Sequence, residues 1–302
     1  MKNAFNRTKI NDAIFNFFNG TFMLLLVVVM LYPFLNTVAI SFNDGLDAIK
    51  GGIYLWPRVF SLQNYKAVFV GGTIFHAFFI SVSRTVITTV INLFLTTMLS
   101  YTLSRKEYVL RRFITVVFVL TMYFNAGLIP TYMLYKGLGL RNNFWVYIIP
   151  GMVYAFNMIV TRTYIKTLPE SMVESARIDG ASEYRIFLQI IFPLCKPILA
   201  TVALFVAVFA WNQWFDTFIY CSSEQNLSTL QYELMKLLSS AQRANSNPSL
   251  VGAVGGANTA SMITPISIRA AITVVAALPI ILVYPSLQKY FVVGLAVGSV
   301  KE

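Results

Sequence analysis

Residues 168–197 read LPESMVESARIDGASEYRIFLQIIFPLCKP. Pro169 and Glu170 suit a helix opening: proline loses no hydrogen bond in the first turn, and an acid meets the positive end of the helix dipole. Met172, Val173 and Ala176 recur at spacings of three and four on one face, with Glu170, Glu174 and Arg177 on another. Gly180 suits the left-handed turn that ends a helix, and Ser182 can cap a second, strongly apolar helix over 183–192 that stops at Pro193. The stretch thus predicts two short helices hinged at Gly180, the first amphipathic with a small residue at its centre. That shape fits docking into a groove on a partner; it equally fits a surface helix that merely links two longer ones.

The flanks decide where such a hinge would sit. Charge-free intervals run 13–43, 67–83 and 85–104 across a single Arg84, 113–135, 142–161, 197–215 and 270–288. Each approaches or exceeds the ~20 residues a helix needs to cross ~30 Å of hydrocarbon. The expectation is an all-α membrane protein with six transmembrane helices at about 21–43, 75–103, 112–135, 143–164, 196–220 and 269–292. Composition agrees: 57% of the 302 residues are hydrophobic, 12% are charged, and mean hydropathy is +0.67. Soluble domains carry about 25% charge, so soluble enzymes, nucleic-acid binders and disordered chains are excluded. The net charge of +11 follows from basic loops rather than from a nucleic-acid surface.

Orientation follows from Lys and Arg, which favour the cytoplasmic side. With the N-terminus inside, inner segments hold fourteen basic residues and outer ones eight, which predicts both termini in the cytoplasm. The domains are then a cytoplasmic segment 1–20, a transmembrane domain 21–292 and a cytoplasmic tail 293–302. The first apolar run exceeds a signal-peptide core and lacks a nearby small-x-small site, so it is read as an anchor. Phe5, Ile10, Ile14, Phe17 and Phe18 before it fit an interfacial helix or a frayed tail. Outer loops 44–74 and 221–268 are long and rich in Gly, Ser and Asn, whereas the inner loop 162–196 is compact with mixed charge.

Little points to catalysis. His76, the one histidine, is read as a hydrogen-bonded structural residue. Cys195 and Cys221 lie at opposite ends of one expected span, ~39 Å apart by helix rise and beyond disulfide reach. No Gly-Lys dipeptide occurs, which removes a phosphate-binding loop, and no HExxH occurs. No catalytic, cofactor or metal residues are assigned; transport or signalling remains.

Polar residues inside spans are costly unless they face a cavity or a partner. Trp211, Asn212, Gln213, Trp214, Phe215 and Asp216 cluster in the fifth span; Tyr123, Asn125 and Tyr132 lie in the third. Asn212 and Asp216, four apart, share a face of a continuous helix. Aromatic faces and planar polar groups suit sugar binding in a shielded cavity, and they equally suit interhelical hydrogen bonds and an aromatic belt. Arg84 lies ~13 Å and Asp216 ~6 Å below the outer ends of their helices. An Arg84–Asp216 ion pair is expected, because an unpaired Arg at that depth is expensive.

Glu174-Ser175-Ala176, Gly180 four residues on, then Ile190 and Pro193, resemble the EAA signature of bacterial ABC-importer permeases, with Ser175 for the first Ala and Phe192 for Leu. LWPRVFSLQNY at 55–65, YTLSR at 101–105, GLIPTYMLYKGLGL at 127–140, WNQWFD at 211–216 and YPSLQKYFVVGLAVGSVKE at 284–302 extend it to the carbohydrate-uptake, maltose-permease-like branch, and within it the complex-oligosaccharide importers. The resemblance implies a type I ABC-importer permease fold in the bacterial plasma membrane. It implies a coupling helix at about 169–180, in which Glu174, Ser175, Ala176, Asp179, Gly180, Ile190 and Pro193 engage a separate ATPase. The implied function is that of a non-catalytic permease subunit importing an oligosaccharide. Implied partners are a second homologous permease, two ATP-binding subunits that hold the ATP and Mg, and an extracytoplasmic solute-binding protein. Substrate-pathway candidates are Tyr123, Asn125, Tyr132, Trp211, Asn212, Trp214, Asp216 and Arg84. Loop residues 236–262 either reach toward the binding protein or are inert. The competing readings are an ion-coupled secondary transporter of a small polar solute, which predicts repeat halves and mid-membrane carboxylates, and a membrane receptor or assembly factor.

Overall fold

The computed structural model describes residues 2–69, 72–246 and 264–299, and among these it is helical throughout, with a single isolated bridge between Asn43 and Phe60. Two compact units are formed, Met1–Gly71 with Lys236–Ala277 and Gly72–Met235 with Leu278–Glu302. Part of the 236–262 loop lies outside the described residues.

In the first unit, α1 (Lys2–Ser41) is one helix that runs without interruption from the polar N-terminal stretch into the apolar run. The expected boundary near residue 20 is therefore not a break. Asn36 donates its amide to the carbonyls of Ile53 (2.7 Å) and Tyr54 (3.0 Å). The loop after α1 is folded rather than loose. Asp44 caps α2 (Gly45–Ile49), and Arg58 holds Asp47 at 3.0 Å. Asn64 of α3 (Gln63–Phe69) donates to Ser41 and Asn43 carbonyls.

The second unit is organised by α4 (Thr73–Ser104), whose interior holds neither proline nor glycine. Ser81, Arg84, Thr88, Asn92, Thr96 and Ser100 recur along it at spacings of three and four and are all buried. α5 (Arg111–Tyr123) and α6 (Leu128–Gly137) follow. The expected single span 112–135 is thus two helices. Asn125 Oδ1 accepts the Gly127 amide at 2.8 Å, and Gly127 has φ +86°, a left-handed turn that glycine permits without strain.

The next span is also broken. Short 3₁₀ turns at Phe144–Tyr147 and Ile149–Gly151 meet α7 (Ala155–Ile165) at a 45° bend. A break leaves carbonyls without helical partners, tolerable in hydrocarbon only if other groups satisfy them. The α4 stripe does so: Thr88 donates to Tyr147 O (3.3 Å) and Asn92 to Gly151 O (2.8 Å), and Ser100 adds a bond to Met158 O within α7 (2.9 Å).

α8 (Ser171–Ile178) precedes a run made of α9 (Glu183–Ile186), a π turn at Phe187–Ile191 and α10 (Phe192–Leu194). This run turns by 78° into α11 (Lys196–Asn212), with α12 (Phe215–Tyr220) beyond a break at Gln213 and Trp214. The expected span 196–220 is therefore interrupted near its end. α13 (Leu230–Ser246) occupies part of the expected outer loop, and α14 (Pro265–Ser299) is a helix well past residue 292, where a tail was expected. Among the described residues, three helices are long and apolar enough to cross a membrane, or up to five if each bent pair counts once.

Candidate functional site

At one end of α4, the α8 segment is held from below. Val173 is buried and Ala176 packs against the same core as Tyr101, Ile165, Ile186 and Phe187. Met172, grouped with them by spacing, instead stands 43% exposed. The helix closes with paired bonds, Ala181 N to Ala176 O at 2.9 Å and Gly180 N to Arg177 O at 3.0 Å. That ending requires a left-handed residue, and Gly180 has φ +75°. Ser182 Oγ then accepts the Arg185 amide, capping α9 as its sequence position predicts. Glu174, Ser175, Ile178, Asp179 and Gly180 face outward, Ile178 at 87% exposure, while Ile190 is partly buried and Pro193 exposed.

Arg177 ties this segment to α4. Its Nη1 donates to Glu107 at 2.9 Å and its Nε to Glu183 at 2.8 Å, while Tyr101 Oη donates to Glu183 at 2.6 Å. Arg177 holds the Glu107 carboxyl below the usual carboxylate range, chiefly through their hydrogen bond. Partial burial pushes Glu183 up, but the Tyr101 and Arg177 hydrogen bonds outweigh it and the net direction is down. Glu107 and Glu183 in turn raise Arg177.

Further along α4, Arg84 and Asp216 form the ion pair expected from their depths. The Arg84 side chain is 4% exposed and that of Asp216 26%. Arg84 Nη1 also donates to Gln213 O at 2.8 Å, and the guanidinium lies 4.6 Å from the Tyr147 ring centre. The break before α12 explains this: it frees the Gln213 carbonyl and turns Asp216 toward α4. It also corrects the shared face expected of Asn212 and Asp216. Asn212 ends α11 and donates back to Val208 O at 2.9 Å.

The other pathway candidates divide. Tyr132 stacks on Tyr220 at 6.0 Å, within a cluster that includes Tyr135, Tyr147 and Cys221. Trp211 is buried with its ring edge-on to Phe78, and Trp214 packs on Phe215 and Phe218. Tyr123 is 79% exposed, and Asn125 is spent on the turn at Gly127. Neither joins the Arg84 group. Gln213 O, Tyr147 and the Thr88–Asn92 pair were not singled out from sequence. The four-residue spacing of polar residues through an otherwise apolar span was the available signal.

Elsewhere, His76 bonds the Asn226 carbonyl at 2.8 Å, a structural role, and both cysteines are free and buried. The arrangement has a guanidinium–carboxylate pair among aromatic rings at one end and a short helix with an exposed outer face at the other.

Residues 102–297 match the model of the binding-protein-dependent transport system inner membrane component family. The chain is 33% identical over 282 residues to the polygalacturonan/rhamnogalacturonan transport system permease protein YtcP of Bacillus subtilis (strain 168), covering 93% of this chain and 96% of that protein. It is 34% identical to the protein LplC of the same organism, covering 90% of each. A bacterial ABC transporter involved in import of the acidic polysaccharide alginate, solved by crystallography, superposes with TM-score 0.80 at 29% identity, covering 93% of this chain and 98% of that one. These matches do not favour an ion-coupled secondary transporter.

Proposed function

Because the chain belongs to the binding-protein-dependent transport system inner membrane component family, a membrane-embedded transport component, we propose that it is the permease subunit of an ATP-driven importer of an oligosaccharide. The observation that carries this is α8. It is anchored from inside by Val173, Ala176 and the Arg177 bridges, with Glu174, Ser175, Ile178, Asp179 and Gly180 left outward. That is the form required of a helix that docks into another subunit and transmits its movement.

In this reading six membrane crossings place both termini and α8 in the cytoplasm, each bent pair serving as one crossing and α5 with α6 as the sixth. Glu174, Ser175, Asp179 and Gly180 meet the ATPase, Ala176 sets their height by packing on the core beneath, and Ile190 and Pro193 set the run behind them. Two such ATPase subunits hold ATP and Mg and perform the hydrolysis. A second, homologous permease completes the pathway, and an extracytoplasmic binding protein delivers the cargo. The carbohydrate class is supported by YtcP and by the alginate importer, and by arabinooligosaccharides transport in a relative 30% identical over 285 residues. Arg84, Asp216, Tyr132, Trp211, Asn212 and Trp214 belong to the pathway wall in this reading. Tyr123 and Asn125 stand at the α5–α6 turn, apart from that wall, and the stretch 236–262, which begins inside α13, is assigned to contact with the binding protein.

The test is purification of the tagged chain in mild detergent from its native membrane, beside a Gly180→Trp variant. A side chain at Gly180 meets nothing within 4 Å in this chain, so the bulk projects outward and only the left-handed φ adds strain. The native chain is expected to bring a second permease and an ATPase. The variant is expected to retain the permease and lose the ATPase. Recovery of the native chain alone overturns the reading.

A further inference from the structure

A second charged site lies where α4 ends, beside the approach to α8. Arg105, Lys106, Arg111, Lys166 and Glu170 line a cavity of about 380 Å³, within the size range of small-molecule sites. Four cations thus face one carboxylate. Glu170 is taken by Lys106 at 3.3 Å. Arg105 sits over the Tyr101 ring at 4.8 Å and within the field of Glu107 and Glu183. Arg111 and Lys166 have no ion-pair partner among the described residues. Arg162 adds to the positive field while spending its own donors on Leu103 O (2.9 Å) and Thr115 Oγ1 (3.0 Å). The Lys166 ammonium is pulled below its ordinary value first by Arg162, then by burial and by Arg111. The fold gathers like charges here and supplies too little acid to balance them.

The surroundings identify what would balance them. Val109 and Leu110, in the same connection, are 91% and 53% exposed, and Phe113 and Val116 continue the apolar surface along α5 at 67% and 55%. A free anion gains nothing from such a surface. An amphiphile whose acidic head enters the cavity covers both. Basic pockets at the ends of membrane helices take phospholipid head groups on these terms, and Arg suits phosphate oxygens through paired donors. We propose that this cavity takes the phosphate of an anionic glycerophospholipid, with the acyl chains lying along Val109, Leu110 and the exposed face of α5. The lipid belongs to the leaflet on the α8 side.

The proposal is tested on the delipidated full chain in detergent by native mass spectrometry, titrating phosphatidylglycerol against phosphatidylcholine with the same acyl chains. Phosphatidylglycerol is expected to bind about thirtyfold more tightly, Arg111 and Lys166 each contributing about fivefold. Arg111→Gln with Lys166→Gln is expected to abolish the preference. Lys166 is exposed, so Lys166→Gln alone leaves the fold intact and is expected to lose about fivefold, whereas Lys166→Arg retains the native preference. Equal binding of the two lipids, or a preference that survives the double substitution, overturns the proposal. Displacement of the lipid by millimolar inorganic phosphate overturns it too, since the cavity is then a free-anion site. So does loss of the lipid whenever the ATPase partner stays bound, which would assign the cavity to an acidic side chain of that partner. None of these readouts depends on which cargo is carried.

Discussion

Replacing Asp216 by Asn isolates what the buried ion pair contributes. The substitution keeps the shape of the side chain and removes its charge, leaving Arg84, at 4% side-chain exposure, without a counter-ion. Removing one partner of a buried pair costs about 3–5 kcal/mol, because the other charge is left uncompensated. Two observations place this case at the low end. Asp216 is itself 26% exposed, and Arg84 keeps the Gln213 carbonyl and the Tyr147 ring. A loss of about 3 kcal/mol is therefore expected, which lowers Tm by roughly 6–12 °C at about 2–4 °C per kcal/mol. Arg84→Met is milder. The freed carboxylate rehydrates through its exposed edge, and the unmet Gln213 carbonyl adds about 1–3 kcal/mol. The double variant holds neither charge and is expected to be no worse than Asp216→Asn alone. Thermal melts of the detergent-solubilised chain, followed by intrinsic fluorescence, complete the cycle. Losses that simply add, to within about 0.5 kcal/mol, would refute the coupling.

Two further outcomes follow from the same unit. Asn92→Ala removes the donor to Gly151 O in a buried setting and is expected to cost about 1–3 kcal/mol; a melt within error of the native chain would show the broken span does not need that bond. Glu107 and Glu183 both sit below the ordinary carboxylate value of 4.5 in the fold, so their contribution is complete above that value and is lost only as pH falls through the lower folded values. Hydrogen exchange of the 171–178 amides is accordingly expected to be flat from about pH 7 to pH 5, after correction for intrinsic rates, and to quicken only below about 4.5. Quickening already near pH 6 would exclude these carboxylates as the cause.

Helix content was plain from apolar length, and the hinge at Gly180 from local chemistry alone: only a residue tolerant of φ +75° closes α8 as observed. The Arg84–Asp216 pair was legible for a different reason, since hydrocarbon leaves a buried guanidinium few alternatives. Breaks were not legible in apolar length. In the run 113–135 the interruption at Phe124–Gly127 was carried by Asn125, Gly127 and Pro130, which apolar length does not weigh, because hydropathy measures cost of transfer and not backbone path. The interruption at Gln213 likewise contradicts helix periodicity, and it is the tertiary bond from Arg84 that rewards it. Met172 shows the same limit at smaller scale, where spacing named the stripe but only Val173, and in part Ala176, is buried.

These breaks make α4 mechanically distinctive among its neighbours α5 to α12. α4 carries Arg84 and, seventeen residues on, Tyr101, about 25 Å apart by helix rise. Tyr101 holds Glu183, which with Glu107 holds Arg177 of α8. Each of the exposed Arg177 bridges contributes little stability by itself, so their value lies in geometry. A displacement of α8 would act through these bonds on Glu183 at the start of α9 and on the end of α4 together. α4 has no interior proline or glycine at which to yield, and its polar ladder grips the bent span through Tyr147, Gly151 and Met158 carbonyls. The run 183–212 does yield, having a 78° turn before Lys196, and a further break follows at Gln213. Under the proposed function, movement entering at α8 would reach the Arg84–Asp216 pair by two routes of unequal stiffness, α4 on one side and the jointed run with α12 on the other. A pair joined across that difference is the contact on which such movement would first bear.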